Sequence, residues 1–287
     1  VGFTHTEGCG FGGETMYQLL HRTYRGYLTH PNVAAALLLE HGCEKVPNDV
    51  LRHHFASAGV DTAQFGFASV QLDGGIAKAL DKVEAWFAEK LPALPPAAPV
   101  AANLGALSLA LLTTAPCDDA TTPALAALCH AILQNNGSVL LAESDPLLAD
   151  AAFRTALLGN TAPRATLAYG QPLAAPGLHV VATESEHFDE NVTGLAACGA
   201  HMALAVVSEH SRQGHPLIPV IQVAAPAQRA IFSADDIDLF LPERSAERLP
   251  ALEQLLAAVA QRAHVPAAHA RGFVDFQLTR GLLGLTT

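Results

Sequence analysis

Short apolar runs alternate with stretches of helical periodicity along most of this chain. An amphipathic helix is predicted over residues 14–28, where apolar residues recur at helical spacing: Met16, Leu19, Leu20, Tyr24, Tyr27 and Leu28. Residues 123–133, 146–158 and 246–262 show a similar pattern. The apolar runs between these stretches predict strands at residues 1–4, 33–39, 67–72, 107–112, 138–142, 178–182, 202–207 and 218–223.

The order strand, helix, strand is typical of right-handed βαβ units around a parallel sheet. We therefore expect an α/β fold with two units, each with a mainly parallel sheet and flanking helices. Residues 92–103 are rich in Pro and Ala and carry no charge, which predicts a stiff linker. This linker would separate an N-terminal unit, residues 1–91, from a C-terminal domain, residues 104–287. Ligands bind such sheets at the carboxyl ends of the strands, where we expect the site.

The composition narrows the class of protein. Of 287 residues, 50% are hydrophobic and 15% are charged, which is typical of a compact globular protein. The formal net charge of -11 disfavours nucleic acid and anionic membranes as partners. No apolar run reaches the roughly 20 residues that span a bilayer, and no secretory leader is visible.

The cysteines and the start of the chain lead to two further expectations. The count of five dispersed cysteines is odd and fits reduced thiols in a cytoplasmic protein better than a disulfide framework. The chain starts at Val1, without an initiator Met and within a predicted strand. We therefore expect that the native protein has an upstream segment.

Two short motifs place cysteine beside glycine, histidine and carboxylates. They are THTEGCG, residues 4–10, and EHGCE, residues 40–44. Four interpretations are open from the residues alone: packing of small buried thiols in glycine turns, a Cys9–Cys43 disulfide, a metal site, or a nucleophile. A reducing compartment disfavours the disulfide.

Other polar residues follow the predicted strands closely. Glu143 is interpreted either as a base or ligand, or as a carboxylate that stabilises the start of the next helix. Glu209 and His210 are interpreted as an acid–base pair or as part of a solvated loop. Gly8 and Gly10 precede the predicted helix at residues 14–28, whose N-terminal N–H groups suit a substrate carboxylate.

These segments resemble the altronate and galactarate dehydratase family, which also includes the large subunit of sulfolactate sulfo-lyase. The similarity is most specific in THTEGCG and in RGYLTHPNVAAALLLEHGCE, residues 25–44. It continues in order through SVQLDGG (69–75), LLAES (140–144), NVTGLAACGAHMALAVV (191–207), PVIQV (219–223), DDIDL (235–239) and GFVDFQLTR (272–280).

The resemblance implies a metal-dependent lyase of the dehydratase type, acting on a small hydroxy or sugar acid. Such an enzyme abstracts the proton beside a carboxylate and eliminates the hydroxyl from the neighbouring carbon. The resemblance implies Fe(II), with Mn(II) as an alternative. Zn(II) is a further alternative, because thiolate and imidazole ligands suit Fe(II) or Zn(II) better than Mg(II). A homo-oligomer or a small partner subunit is also expected.

The expected site residues fall into three groups. The metal ligands are His5, Cys9, Cys43 and Glu44. The substrate-binding residues are Gly8, Gly10 and Lys45. The catalytic residues are Glu143, Glu209 and His210.

Three motifs depart from the family pattern. Residues 112–119 (LTTAPCDD) replace a Gly-Gly-Ser-Asp run, and residues 183–186 (TESE) replace an Asp-Thr-Pro-Gly turn. Residues 208–211 (SEHS) replace a Gly-Arg-Gly-Thr loop and so lose a cation. The small N-terminal domain that dehydratases carry, or borrow from a partner, has no counterpart here. The alternative expectation is a catalytically degenerate member that acts as a binding or assembly subunit, and a thiol-redox protein is a third class.

Overall fold

A computed structural model describes residues 1–5, 8, 13–159, 166–226 and 234–279 of the chain. The helices in this part are α1 (Glu14–Leu28), α2 (Asn48–Ser57), α3 (Ile76–Lys90), α4 (Thr121–Gln134), α5 (Ala151–Leu158), α6 (Phe188–Ala197), α7 (Ser245–Ala260) and α8 (Ala267–Ala270). The strands are β1 (Leu37–Glu40), β2 (Gly66–Ser69), β3 (Ser108–Thr113), β4 (Ser138–Ala142), β5 (Gly177–Val181), β6 (Met202–Val206), β7 (Val220–Ala224) and β8 (Leu239–Phe240).

The strands form two sheets, and every pairing in them is parallel. β1 pairs with β2 in a small sheet. The other strands form a six-stranded sheet in the order β5-β4-β3-β6-β7-β8. Chain order reverses between β3 and β6, which opens a crevice beyond the carboxyl ends of these central strands. The predicted α/β class, with two parallel sheets and flanking helices, is confirmed.

Helices cover both faces of the six-stranded sheet, which is why β3 reads as a continuous apolar run. Leu109 and Leu111 belong to a core cluster that includes residues of α4 and α7. Ala110 and Leu112 belong to a second cluster that includes residues of α1 and α6. Successive side chains of β3 therefore enter opposite halves of the core, as the alternation of a strand requires.

Helix α1 packs on the six-stranded sheet through α6. The Tyr27 hydroxyl donates to the carbonyl of Thr193 at 2.8 Å, and Arg22 Nε donates to the carbonyl of Tyr169 at 2.8 Å. Residues 95–103 of the predicted linker are exposed. The proposed boundaries at residues 91 and 104 remain predictions. In the described part of the chain, no helix has both the length and the apolar character needed to cross a membrane.

The predicted strand at residues 1–4 is wrong. Residues 1–5 form no strand, so His5 does not follow one. The apolar character of this segment reflects side-chain packing, because the Phe3 ring lies 5.0 Å from that of Tyr27 and 4.9 Å from that of Phe276. β1 starts at Leu37 and not at residue 33, since the chain turns at His30, whose carbonyl accepts the Val33 N–H.

Candidate functional site

The two Gly-Cys motifs meet in the structure. The Gly8 carbonyl accepts the Lys45 N–H at 3.1 Å. A Cβ atom built on Gly8 would lie 2.7 Å from Cγ of Glu44, so the close approach requires glycine at this position. The segment after β1 therefore packs directly on the N-terminal motif. Cys9 and Gly10, predicted as metal ligand and substrate-binding residue, lie outside the described residues.

The Glu44 carboxylate is held by backbone donors at the carboxyl end of β1. Its Oε1 accepts the His41 N–H at 2.6 Å, and its Oε2 accepts the Gly42 N–H at 2.7 Å. Partial burial by itself raises the pKa of Glu44, but the N–H groups of Gly42 and His41 outweigh this effect and lower the pKa below its usual value. Glu44 is therefore a fixed negative charge beside Gly8.

Tyr24 on α1 is hydrogen-bonded to His5 and is close enough to Glu44 for that charge to affect its pKa. The Tyr24 hydroxyl lies 2.5 Å from His5 Nε2. Burial, and then the charge of Glu44, raise the pKa of Tyr24 well above its usual value, so the phenol stays protonated. Sequence reasoning missed this residue because its spacing assigned it only to the apolar face of a helix. The one available signal was a hydroxyl on that face.

Two further side chains of this region are exposed. Cys43 Sγ lies 3.3 Å from Nδ1 of His41, a residue that the sequence did not single out. The Lys45 side chain is exposed, while its backbone N–H is bound to Gly8. An ammonium group and a thiol are thus accessible on the same turn as the Glu44 carboxylate.

The described residues do not by themselves complete a metal site. Across residues 1–5, 8, 13–159, 166–226 and 234–279, no group of three His, Cys, Asp or Glu side chains is arranged to hold a metal ion. Both oxygens of Glu44 already accept backbone N–H groups, and His5 Nε2 is bound to Tyr24. Imidazole, thiolate and carboxylate donors suit Fe(II), and the fourth predicted ligand, Cys9, lies outside the described residues.

A second polar region lies in the crevice of the six-stranded sheet. Thr114 and Ser208 follow β3 and β6, where chain order reverses, and their hydroxyl oxygens lie 3.2 Å apart. The Ser208 N–H donates to Thr114 Oγ1 at 3.1 Å, and the Thr114 N–H donates to the Val206 carbonyl at 3.0 Å. These bonds tie the ends of the two central strands together.

Hydroxyl groups continue this region across the ends of β4 and β5. Thr183 Oγ1 donates to Ser144 Oγ at 3.0 Å, and Ser144 Oγ donates to the Ser185 carbonyl at 3.2 Å. Two residues of the first turn of α6 join the network. Asn191 Nδ2 donates to Ser144 Oγ at 3.1 Å, and Ser185 Oγ donates to Glu190 Oε2 at 2.6 Å. The sequence predicted none of these contacts.

Asp145 is the buried acid at the end of β4. Burial raises its pKa to about 6, although hydrogen bonds from Leu147 and Thr113 oppose the rise. Oδ1 accepts from Thr113 Oγ1 at 2.8 Å and from the Leu147 N–H at 2.9 Å, and Oδ2 accepts the Thr113 N–H at 2.8 Å. Because both oxygens are committed to these donors, Asp145 fixes the end of β3 against the end of β4.

The three predicted catalytic residues lie around this crevice. Glu143 directly follows β4, is exposed, and donates its N–H to the Val181 carbonyl at 2.8 Å. Glu209 and His210 are exposed in the bend after β6. They belong to the six-stranded sheet, whereas Gly8, Glu44 and Lys45 meet at the end of β1. The structure thus groups the predicted residues at two sheets.

Comparison with known families gave two matches. Residues 1–94 match the family model described as D-galactarate dehydratase/Altronate hydrolase, second domain. Residues 155–263 match the model described as D-galactarate/Altronate dehydratase, C-terminal. A search of curated proteins gave no match. The first match contains the Gly8–Glu44 contact, and the second contains the ends of β5 and β6 with Glu190 and Glu209.

Proposed function

Because this chain belongs to the D-galactarate dehydratase/altronate hydrolase family, a family of hydro-lyases, we propose that it is a metal-dependent dehydratase of a small hydroxy or sugar acid. The reaction removes the proton beside the substrate carboxylate and expels the hydroxyl from the next carbon. The observation that supports this proposal best is the contact of the two Gly-Cys motifs. Gly8 packs on Glu44 and binds the backbone of Lys45.

The contact brings together groups that suit an anionic substrate. The exposed ammonium of Lys45 is the charge proposed to attract the substrate carboxylate, and the backbone N–H of Lys45 is bound to the Gly8 carbonyl. Gly8 and Gly10 are proposed as the other substrate-binding residues. Tyr24 is proposed as a positioning residue, because its hydroxyl is bound to the ring of His5. Its phenol is protonated and so adds no negative charge to this region.

A divalent metal belongs to the same proposal. Fe(II), or else Mn(II) or Zn(II), would be held by His5, Cys9, Cys43 and Glu44, and it would stabilise negative charge on the substrate carboxylate. Proton transfer is proposed for Glu143, Glu209 and His210, whose exposure leaves them open to a bound substrate. A homo-oligomer or a small partner subunit is proposed as the assembly in which the chain acts, and metal binding is the first property to test.

Elemental analysis of the chain purified without oxygen tests the proposal. We expect about one iron per chain in the wild type and little iron in Cys9→Ser, since the described residues alone do not complete the ligand set. Cys117→Ser is the matched control, because Cys117 lies in the loop that follows β3 of the other sheet, and this variant should keep its iron. Equal iron content in Cys9→Ser and the wild type would contradict the metal site.

The same iron-loaded protein is then assayed on altronate, galactarate, other aldonates and aldarates, and sulfolactate. Glu209 puts a carboxylate where the family motif has a cation, so we expect poor turnover of altronate and galactarate and better turnover of a smaller or differently charged acid. Glu209→Arg should lower KM about tenfold, equivalent to about 1.4 kcal/mol. Ordinary rates on altronate would contradict the expected substrate preference. If neither the wild type nor Glu209→Arg turns over any of these acids, a degenerate binding or assembly subunit is favoured.

A further inference from the structure

Two buried oxygens in the hydrogen-bond network at the ends of β4 and β5 have no partner among the described residues. They are Oε1 of Glu190 and Oδ1 of Asn191. Glu190 is 2% exposed and Asn191 is 6% exposed, so solvent does not reach them in this conformation. A buried carboxylate oxygen without a partner is strongly unfavourable, which makes such an atom rare in a stable fold.

The hydroxyl protons of the network are already used. Ser185 donates to the other oxygen of Glu190, Ser144 donates to the Ser185 carbonyl, and Thr183 donates to Ser144. The amide nitrogen of Asn191 is also bound to Ser144, which leaves its oxygen as the unpartnered atom. Rotation of these hydroxyl groups therefore cannot satisfy either oxygen without breaking an existing bond.

The charge of Glu190 is also unbalanced. None of the ion pairs among the described residues includes it. The N-terminus of α6 favours a negative charge at this position. It supplies no donor to Oε1 within the described part of the chain. A water molecule would supply a donor but no charge, whereas a cation supplies the charge and needs only oxygen ligands.

We propose that Glu190 and Asn191, together with oxygens of the Ser144–Ser185 network, bind a dehydrated monovalent metal cation, Na⁺ or K⁺. The single carboxylate balances one positive charge, and the remaining ligands are neutral oxygens. Divalent ions such as Ca²⁺ usually take several carboxylates, and the described residues contain no group of three acids suited to a metal. The cation holds the ends of β4 and β5 together beside Glu143, and it does not depend on the proposed dehydratase activity.

Thermal unfolding at constant ionic strength tests this site. In choline chloride, replacement of choline by Na⁺ or K⁺ should raise Tm by about 3 °C for each tenfold increase in concentration above Kd. Glu190→Gln should lose this cation-specific increment, because the charge is gone. Glu186→Gln is the matched control, since Glu186 is exposed on the same segment, and it should keep the increment. The same Tm for the wild type in Na⁺, K⁺ and choline would overturn the proposal.

The ²³Na NMR linewidth of wild-type protein solutions gives a second measurement that needs no variant. We expect the protein to broaden the ²³Na signal and K⁺ to narrow it again by competition. If Glu190→Gln does not fold, this result decides alone. A linewidth that neither the protein nor K⁺ changes would contradict the proposed cation site.

Discussion

At the scale of single residues, His21 shows how the fold buries a polar ring without hydrogen bonds. Neither ring nitrogen has a partner among the described residues. The ring lies 4.0 Å, between centroids, from that of His54 on α2 and stacks on Tyr17. Burial, and then His54, lower the pKa of His21 to about 4. His21 is therefore packed as a neutral aromatic group between α1 and α2.

This burial links folding stability to pH. An unfolded histidine titrates near pH 6.5, so between about pH 4 and 6.5 the unfolded state binds more protons than the folded state. The stabilising effect of a neutral His21 is complete above pH 6.5 and is lost as the pH falls. The loss is about 1.4 kcal/mol per pH unit.

We expect His21→Phe to reduce the loss of stability between pH 7.5 and pH 5 by roughly 2 kcal/mol, because the ring stays but no longer binds a proton. Urea unfolding at both pH values measures this difference. His53→Gln is the control, since His53 is an exposed histidine on α2, and it should not reduce this loss of stability as His21→Phe does. If His21→Phe loses as much stability at pH 5 as the wild type does, His21 is not the cause of that loss.

At the scale of elements, the contact of α1 with α6 depends on the absence of one side chain. A Cβ atom built on Gly26 would lie 2.1 Å from the carbonyl oxygen of Ala197, which is backbone and cannot rotate away. Gly26 thus lets the two helices approach closely enough for Tyr27 to reach the Thr193 carbonyl. This approach holds α1 on the six-stranded sheet and places Tyr24 beside His5.

Replacing Gly26 by Ala should therefore lower the free energy of unfolding, whereas helix propensity alone predicts an increase. Propensity alone favours Ala over Gly by about 1 kcal/mol in a helix. The steric overlap should instead destabilise the protein by about 1–3 kcal/mol, measured as the free energy of unfolding in urea. Gly2→Ala, with no atom within 4 Å of the added Cβ, should change stability little. A more stable Gly26→Ala variant would show that the helices separate at little cost.

At the scale of the whole molecule, the first and last described segments meet in one aromatic cluster. The Tyr27 hydroxyl lies 2.9 Å from Nε2 of His215, and Phe3 contacts both Tyr27 and Phe276. These side chains share a core with residues of β3 and α6. The covalent connection through exposed residues 95–103 is therefore not what holds the N-terminal segments in place.

A protease site inserted between Ala97 and Ala98 should be cut while the two pieces stay together. We expect them to elute as one species in gel filtration under native conditions and to separate only in denaturant, since α1 stays buried against α6. The same cut in a Tyr27→Ala background should release the pieces more readily, because truncating a buried aromatic costs about 3–5 kcal/mol. Separation of the wild-type pieces without denaturant would contradict this account of the core.

The sequence by itself determined where several segments of regular structure lie. The predicted helix over residues 14–28 matches α1, and the predicted strand over residues 138–142 matches β4. Both succeed because burial of a face, or of a whole strand, leaves a local pattern of apolar positions. The motifs around Cys9 and Cys43 also identified the family, since they are contiguous stretches of the chain.

Only the tertiary structure decided which polar atoms meet. Tyr24 bonds His5 across 19 residues, Asp145 holds Thr113 across 32, and Asn191 bonds Ser144 across 47. No local periodicity records such partners, because they are brought together by the order of the strands and the packing of the helices. For the same reason residues 1–4 were wrongly predicted as a strand: an apolar segment has the same pattern whether it pairs in a sheet or packs on a distant aromatic ring.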